Sequence, residues 1–248
     1  MQNKEFLSVI IPVYNEISRK RNELTANLNK IGTYLNSKGV DYEVVVVDDG
    51  SSDSSASEIK KMGSSVKNLK VIERNENRGK WFTIREGFLA AKGSYRLFTD
   101  ADGSTAIENL EKFWKYFEKG EHLLIGSRDL VDSKISTRQP YWKEWLGHMG
   151  SAVTRLIIGL PKIKDTQCGF KVLSEQAVLD LIPKLKVNRW GGDFELLALA
   201  NKRGYKIIEV PVVWNDSGNS LVGLRGYLST LKELLQVKWG MMIGKYKC

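Results

Sequence analysis

The chain has 248 residues, of which 42% are hydrophobic and 27% charged. That length can bury a real core as one large domain or two small ones, and the composition excludes disordered and collagen-like chains. The formal net charge is +9, and most of the excess lies in residues 129–248; a basic half suits an anionic partner such as nucleic acid, a membrane surface or a phosphorylated substrate, or serves solubility alone. No apolar run approaches the ~18–20 residues needed to span a bilayer. The stretch Phe6–Val13 is cut by Pro12 and lacks the basic flank and cleavage site of a signal peptide, so a cytosolic location is expected. Cys168 and Cys248 form neither a disulfide framework nor a zinc pattern, and His122 and His148 build no histidine site. Any metal is expected to be a hard ion held by carboxylates and phosphates.

Strand and helix signals alternate through the first half. Ser8–Val13 reads as a short apolar strand, and Ile17–Ser37 as a helix with Leu24, Leu28, Ile31 and Leu35 on one face. Tyr42–Val47 is a β-branched run of the kind buried in parallel sheets. Ser54–Met62 follows as a helix, Leu69–Ile72 as a strand, and Trp81–Ala91 as a helix stopped by Gly93. Then come a strand at Tyr95–Thr99, a helix at Ile107–Phe117 and a strand at His122–Ile125. This β-α-β-α rhythm predicts a mainly parallel α/β sheet with helices on both faces. The second half is less regular. It holds an amphipathic, Trp-rich stretch at Pro140–Ile158, a strand at Phe170–Leu173 and a helix at Asp193–Lys202. Tyr205–Trp214 reads as a strand interrupted by Pro211, hence at an edge, and Gly223–Trp239 as a closing helix. With no repeats or long linkers, one continuous domain over 1–248 is expected.

In parallel α/β sheets ligands bind beyond the carboxyl ends of the strands. Four such ends carry polar clusters: Pro12-Val13-Tyr14-Asn15-Glu16, Asp48-Asp49-Gly50-Ser51-Ser52-Asp53, Asp100-Ala101-Asp102-Gly103 and Gly126-Ser127-Arg128. Two carboxylates two residues apart on a turn can face one Mg²⁺ or Mn²⁺ that keeps its other positions for water and diphosphate. An Asp-x-Asp is also an ordinary solvated turn; the strand before it and the second acidic strand end favour the metal reading. An EF-hand starting at Asp100 is excluded because its sixth position is Thr105, where that loop needs glycine. Asp48 and Asp49 read either as a capping turn or as a nucleotide site. No Gly-x-Gly-x-x-Gly or Gly-Lys-Ser/Thr loop is present, so a diphosphate must be met by a metal and by Arg or Lys. Arg74, Arg78, Lys80 and Arg85 cluster before and within one helix, and Arg128 and Arg138 flank the Trp-rich segment's approach. Asp193 and Glu195 open a helix after Gly191-Gly192; they suit the helix N-terminus and also a general base or a group positioning a donor sugar.

Taken together, Val9-Ile10-Ile11-Pro12-Val13-Tyr14-Asn15-Glu16, Val45-Val46-Val47-Asp48-Asp49-Gly50-Ser51-Ser52-Asp53, Arg78-Gly79-Lys80, Asp100-Ala101-Asp102 and Ile125-Gly126-Ser127-Arg128 resemble the family 2 inverting glycosyltransferases with the GT-A fold. Asp165-Thr166-Gln167-Cys168-Gly169-Phe170-Lys171 and Arg189-Trp190 with Asp193, Glu195 and Leu196 look like the dolichyl-phosphate β-glucosyltransferases, close to the dolichyl-phosphate mannose synthases. The resemblance implies UDP-glucose as donor, a polyisoprenyl phosphate as acceptor, and Mg²⁺ or Mn²⁺. It implies a nucleotide-sugar half over 1–128 and an acceptor half over 129–248. It places Pro12, Tyr14, Glu16 and Asp49 at the nucleoside, and Lys80, Asp100, Ala101 and Asp102 at the donor diphosphate. Asp102 is the more direct metal ligand and Asp100 the second. Arg128 and Arg138 fall at the acceptor phosphate, and Gln167 and Asp193 near the sugar. Trp81-Phe82 depart from the small residues usual after Gly-Lys and are expected to crowd the donor side. The loop Asp216–Leu221 lacks the lysine of the relatives, a charge Arg225 is placed to supply. Without an apolar anchor, the segment 140–160 and the basic half are expected to bring the chain to the cytosolic face of a membrane as a peripheral protein.

The expected reaction is in-line displacement at the anomeric carbon with inversion, using Asp102, Arg128 and Asp193. A lipid phosphate is already anionic and needs orientation more than deprotonation. A sugar-hydroxyl acceptor, or another donor such as GDP-mannose or UDP-GlcNAc, is the alternative, and a hydroxyl needs a base, for which Asp193 is the candidate. A nucleic-acid or sensor module is disfavoured, because crevice carboxylates repel phosphate unless a metal intervenes.

Overall fold

The computed structural model describes residues 6–20, 23–135, 141–215 and 224–246. Its first half runs β1 (Leu7–Val13), α1 (Glu16–Lys20), α2 (Glu23–Lys38), β2 (Tyr42–Asp48), α3 (Ser55–Lys61), β3 (Leu69–Glu73), α4 (Lys80–Ala90) and β4 (Tyr95–Thr99). There follow α5 (Trp114–Phe117), β5 (Leu123–Ser127), β6 (Lys134–Ile135), α6 (Tyr141–Ile158), β7 (Phe170–Ser174) and α7 (Glu175–Leu181). The chain closes with α8 (Gly192–Lys202), β8 (Ile207–Pro211), β9 (Val213–Trp214) and α9 (Leu224–Met242).

Seven strands form one sheet in the order β3-β2-β1-β4-β7-β5-β8. All neighbours are parallel except β7, which runs antiparallel to both β4 and β5. Strands from both halves therefore interleave in one sheet. β1, β2 and β4 are buried on both faces, and their alternate side chains feed two cores. Val9, Ile11 and Val44 pack with Leu24, Leu28 and Ile31 of α2 and with Phe113. Ile10, Val45 and Val47 pack with Ile84 and Phe88 of α4, Val178 of α7 and Leu196 of α8. A third cluster joins Phe194 and Ala198 of α8 to Leu234 and Val237 of α9.

Three elements differ from expectation. The stretch 107–117 is a 3-10 helix, Ile107–Lys112, followed by the short α5. The Asn109 side chain bonds the backbone of Val213 in both directions, at 2.7 and 3.0 Å, and that cross-link anchors the tighter turn. The 205–214 stretch is split. β8 is the sheet edge and ends at Pro211, and β9 leaves it to pair with β6. α7 went unread, although Ser174 caps it by accepting from the Ala177 amide at 3.2 Å.

Candidate active site

The loops after β1 and β2 are stitched into one surface by short polar side chains. Asn15 adopts a positive φ of 53°. Its Oδ1 accepts from the Ser52 and Asp53 amides at 2.8 and 3.3 Å, while its own amide donates to Ser51 Oγ at 2.9 Å. The Glu16 and Ile17 amides donate to Ser55 Oγ. Pro12, Tyr14 and Glu16 are held half-buried on this seam. Asp48 accepts from the amide and hydroxyl of Ser51, and burial raises its pKa. Asp49 is spent differently: Oδ1 accepts from the Arg78 amide at 2.8 Å and from the Arg74 guanidinium, and Oδ2 from the Gly79 amide at 2.9 Å. It shapes the loop that delivers Lys80, and its Oδ2 keeps room for one further donor.

That loop needs glycine. Gly79 has φ of 102°, and a Cβ there would lie 2.5 Å from the Asn188 carbonyl oxygen. The same carbonyl accepts from the Trp81 and Phe82 amides at 2.9 and 3.0 Å, so the first turn of α4 is closed by backbone from the other half. Lys80 Nζ then reaches Asp100 Oδ1 at 2.6 Å. The acidic turn after β4 is braced by Asn27, whose Nδ2 donates to the carbonyls of Asp100 and Ala101 at 3.3 and 3.1 Å. Asp102 faces Ser104, accepting from its amide at 2.9 Å and its hydroxyl at 2.8 Å. Burial, with repulsion from Asp102 and Asp193, raises the Asp100 pKa against the pull of Lys80. A cavity of about 130 Å³, lined by Asn27, Lys30, Asp102 and Asn215, opens beside the turn.

β7 runs the other way, so the residues before it reach the same edge. Thr99 pairs with Phe170, and a Cβ on Gly169 would lie 1.8 Å from Asp100 Oδ2. Gly169 is thus the floor under that carboxylate. Lys171, fully buried, donates to the Cys168 carbonyl at 2.6 Å and to Asp193 Oδ1 at 2.5 Å. The other Asp193 oxygen accepts from the Trp81 indole at 2.8 Å. Trp81 packs against Gly192, where a Cβ would come within 2.2 Å of the ring, and meets Phe98 edge-on. The expected crowding of the donor side is therefore wrong for Trp81: it is 1% exposed and turned into the core to hold Asp193. Phe82 lies under the guanidinium of Arg78 at 3.7 Å, with those of Arg74 and Arg85 at 4.9 and 5.0 Å. Glu195 points away from the crevice. It accepts from the Lys186 and Val187 amides and from the Tyr246 hydroxyl, and burial raises its pKa.

On the other side of the 165–169 loop, Arg128 is clamped by Asp165. Nε donates to Oδ2 at 2.7 Å, Nη2 to Oδ1 at 3.0 Å, and the Arg128 amide also reaches Oδ2. Trp214 stacks 5.4 Å from the guanidinium. Burial opposes both charges, yet the pair overrides it: Asp165 is held down at about 2 and Arg128 is raised. Asp165 engages the guanidinium through Nε and Nη2 and leaves Nη1 outside the clamp. Glu209 accepts from the Lys164 and Asp165 amides at 2.9 Å each and fixes the loop. Gln167 is exposed at its tip. Arg138, Arg225 and the loop 216–221 fall outside what the structure describes of side chains or backbone.

The structure thus brings Lys80, Asp100, Asp102, Gly169 and Asp193 to one crevice edge, with Arg128 on the flanking loop. Sequence reading missed Lys171, Asp165, Trp81 and Asn188 as the residues that hold it. Asp165 and Lys171 stood in a quoted motif, but no spacing rule says that a loop preceding an antiparallel strand reaches the edge where parallel strands end. Among the described residues no group of three or more His, Cys, Asp or Glu gathers. Two carboxylates beside a lysine, with net negative charge, suit Mg²⁺ or Mn²⁺ completed by substrate oxygens and water, and do not suit a closed zinc site.

A mainly parallel sheet whose edge gathers an Asp-x-Asp turn, a lysine and a clamped arginine is that of a GT-A glycosyltransferase. Residues 8–181 match the family model described as glycosyl transferase family 2. Dolichyl-phosphate beta-glucosyltransferase of Dictyostelium discoideum is 32% identical over 98% of this chain and 76% of its own length. The Saccharomyces cerevisiae protein of that name is also 32% identical, over 98% and 77%, and the Homo sapiens one 31%, over 97% and 77%. Among solved structures, glucosyl-3-phosphoglycerate synthase from Mycobacterium tuberculosis in complex with Mn²⁺, UDP-glucose and phosphoglyceric acid superposes with a TM-score of 0.67 at 17% identity, covering 95% of this chain and 80% of that one. This chain belongs to glycosyl transferase family 2 and is a glycosyltransferase.

Proposed function

We propose that the enzyme transfers glucose from UDP-glucose to a polyisoprenyl phosphate of the dolichyl type, at a membrane surface, with inversion and with Mg²⁺ or Mn²⁺. The observation that carries the reading is the clamped Arg128, a fork that Asp165 engages through Nε and Nη2, with Nη1 outside the clamp, near an acidic donor turn. It suits an acceptor that brings its own negative charge. The relatives named for this activity support it.

In this reading Asp102 and Asp100 hold the metal, which when bound stabilises the leaving diphosphate. Lys80, fixed at the first turn of α4, adds a positive charge to the diphosphate side, where charge develops as the glycosidic bond breaks. Pro12, Tyr14, Glu16 and Asp49 line the nucleoside end, and Gln167 lies at the tip of the loop that faces the sugar. Arg128 orients the acceptor phosphate for in-line attack and offsets its repulsion from the donor. Asp193 acts as a fixed charge that orders the sugar side. Both its oxygens are engaged by buried donors, and this disfavours the alternative in which it strips a proton from a sugar hydroxyl.

The test is product formation with Mg²⁺ or Mn²⁺, a panel of UDP- and GDP-sugars and a short polyprenyl phosphate, read by mass spectrometry. A sugar-phosphate lipid from UDP-glucose, absent in Asp102→Ala, is the expected result. Donor hydrolysis without lipid product would reject the acceptor, and product from GDP-mannose alone would reject the donor.

A further inference from the structure

The outward side of α9 carries large apolar side chains that no described part of the protein covers. Leu228, Leu231, Leu235, Trp239 and Met242 are each about half to two-thirds exposed, and Ile243 extends the row. They recur three or four residues apart, which at 3.6 residues per turn puts them on one side of the helix. The opposite side is already in use, because Leu234 and Val237 are buried against α8. The helix is therefore apolar on two sides, and one of them has no partner. α6 packs beside it and exposes Val153 and Leu156. A patch of this kind marks an interaction surface.

Charge selects the occupant. At 100° per residue, Lys232 and Lys238 fall on opposite margins of the row, both exposed, and the exposed Lys245 follows it. The single acidic residue of α9, Glu233, is turned inward and accepts from the Trp190 and Gly191 amides at 3.1 and 2.8 Å. A second copy of this chain docked across the row would set lysine margin against lysine margin with no acid of α9 to pair them. An anionic lipid surface answers both features, with acyl chains for the apolar row and phosphates for the lysines. No described helix is long and apolar enough to cross a membrane.

We propose that α9, with Val153 and Leu156 of α6, docks the enzyme peripherally on an anionic bilayer. The inference rests on the reading that the acceptor phosphate is carried by a lipid. Glu233 gives it a mechanical consequence: it ties the docking helix to the loop 190–191 that opens α8, two residues before Asp193. Docking thereby fixes the crevice relative to the headgroups.

The test uses the full chain and vesicles of phosphatidylcholine with and without phosphatidylglycerol. Wild type is expected to cosediment with the anionic vesicles. Leu235→Glu with Trp239→Glu should weaken that binding at least ~10-fold, and Lys232→Gln with Lys238→Gln should abolish the preference for anionic lipid. Because all four positions are exposed, thermal melts should match wild type. Turnover of a short, water-soluble prenyl phosphate should be unchanged, while turnover of a long-chain acceptor in vesicles falls with binding. Equal vesicle binding by wild type and the glutamate variant would overturn the proposal. So would a wild-type dimer in solution that Trp239→Glu dissociates, which would assign the row to a second copy. Vesicle binding that obeys the variants without turnover of either acceptor would support the docking surface and overturn the proposed reaction instead.

Discussion

The two sides of the crevice are held by different physics. On the side of the Asp-x-Asp turn, loops after parallel strands are joined largely by short neutral groups, Asn15 to Ser52, Asn27 to the Asp100 and Ala101 carbonyls and Ser104 to Asp102, with Arg74 meeting Asp49 and Lys80 meeting Asp100. Around β7 and the 165–169 loop the elements are held by buried ion pairs, Lys171 with Asp193 and Arg128 with Asp165. In the proposed reading, the side that receives a cation keeps a net negative charge, and the side that receives an anion has its arginine fixed by Asp165 through Nε and Nη2. The lesson is that hydrogen bonds to neutral groups hold a charge in place without cancelling it, whereas ion pairs trade charge for rigidity.

The sharpest way to break that contrast is to remove charge on the side of the Asp-x-Asp turn. Asp102→Ala should lower turnover by roughly 10³-fold or more, the scale of lost electrostatic stabilisation of a leaving group, while the turn itself stays braced by Asn27 through the Asp100 and Ala101 carbonyls. A chelator should reproduce the loss in wild type and change nothing further in the variant. On the paired side the cost should appear in stability. Lys171→Met leaves Asp193 charged, buried and short of one partner, and should cost about 3 kcal/mol in urea unfolding. Adding Asp193→Leu should recover part of that stability while activity stays lost. If Lys171→Met were neutral, the pair would not be holding the loop.

Asp165→Asn probes the second pair. Losing the anion that clamps Arg128 should cut kcat/KM for the acceptor by roughly 100-fold, in the range for one partner of a hydrogen-bonded charge pair, and leave the donor KM nearly unchanged. Equal losses toward donor and acceptor would make the clamp merely structural.

The same contrast explains what could be read from the chain alone. The donor side was legible because each piece is local: an apolar run, then polar residues directly after it, as in Tyr42–Val47 followed by Asp48-Asp49-Gly50. The direction of β7 was not legible. Phe170–Ser174 has the composition of a buried strand whichever way it runs, and its antiparallel pairing is set by tertiary fit. With direction unknown, nothing marked Asp165 and Lys171 as crevice residues, or showed that Trp81 turns inward onto Gly192. That packing depends on a glycine 111 positions away, a separation at which periodicity carries no information.

The smallest effect sharpens the comparison through pH. Asp165 has a folded pKa of about 2 against an ordinary 3.8, because Arg128 outweighs its burial. A depressed carboxyl contributes stability that is fully present above its unfolded pKa and is lost as pH falls through the folded one. Wild type should therefore lose about 2 kcal/mol between roughly pH 4 and pH 2 through this group, and the stability gap to Asp165→Asn should close over the same window. Asp48, Asp100 and Glu195 have the opposite sign, since burial raises all three. Their folded forms bind protons more tightly than the unfolded chain, so they favour the fold at low pH and that contribution fades as pH rises through their folded values. Asp48 and Asp100 thus titrate in the opposite sense to Asp165. Urea unfolding of wild type and Asp165→Asn across acid pH separates them. A gap that stayed constant down to about pH 2 would mean that Arg128 does not hold Asp165 ionised, and the clamp would lose its electrostatic basis.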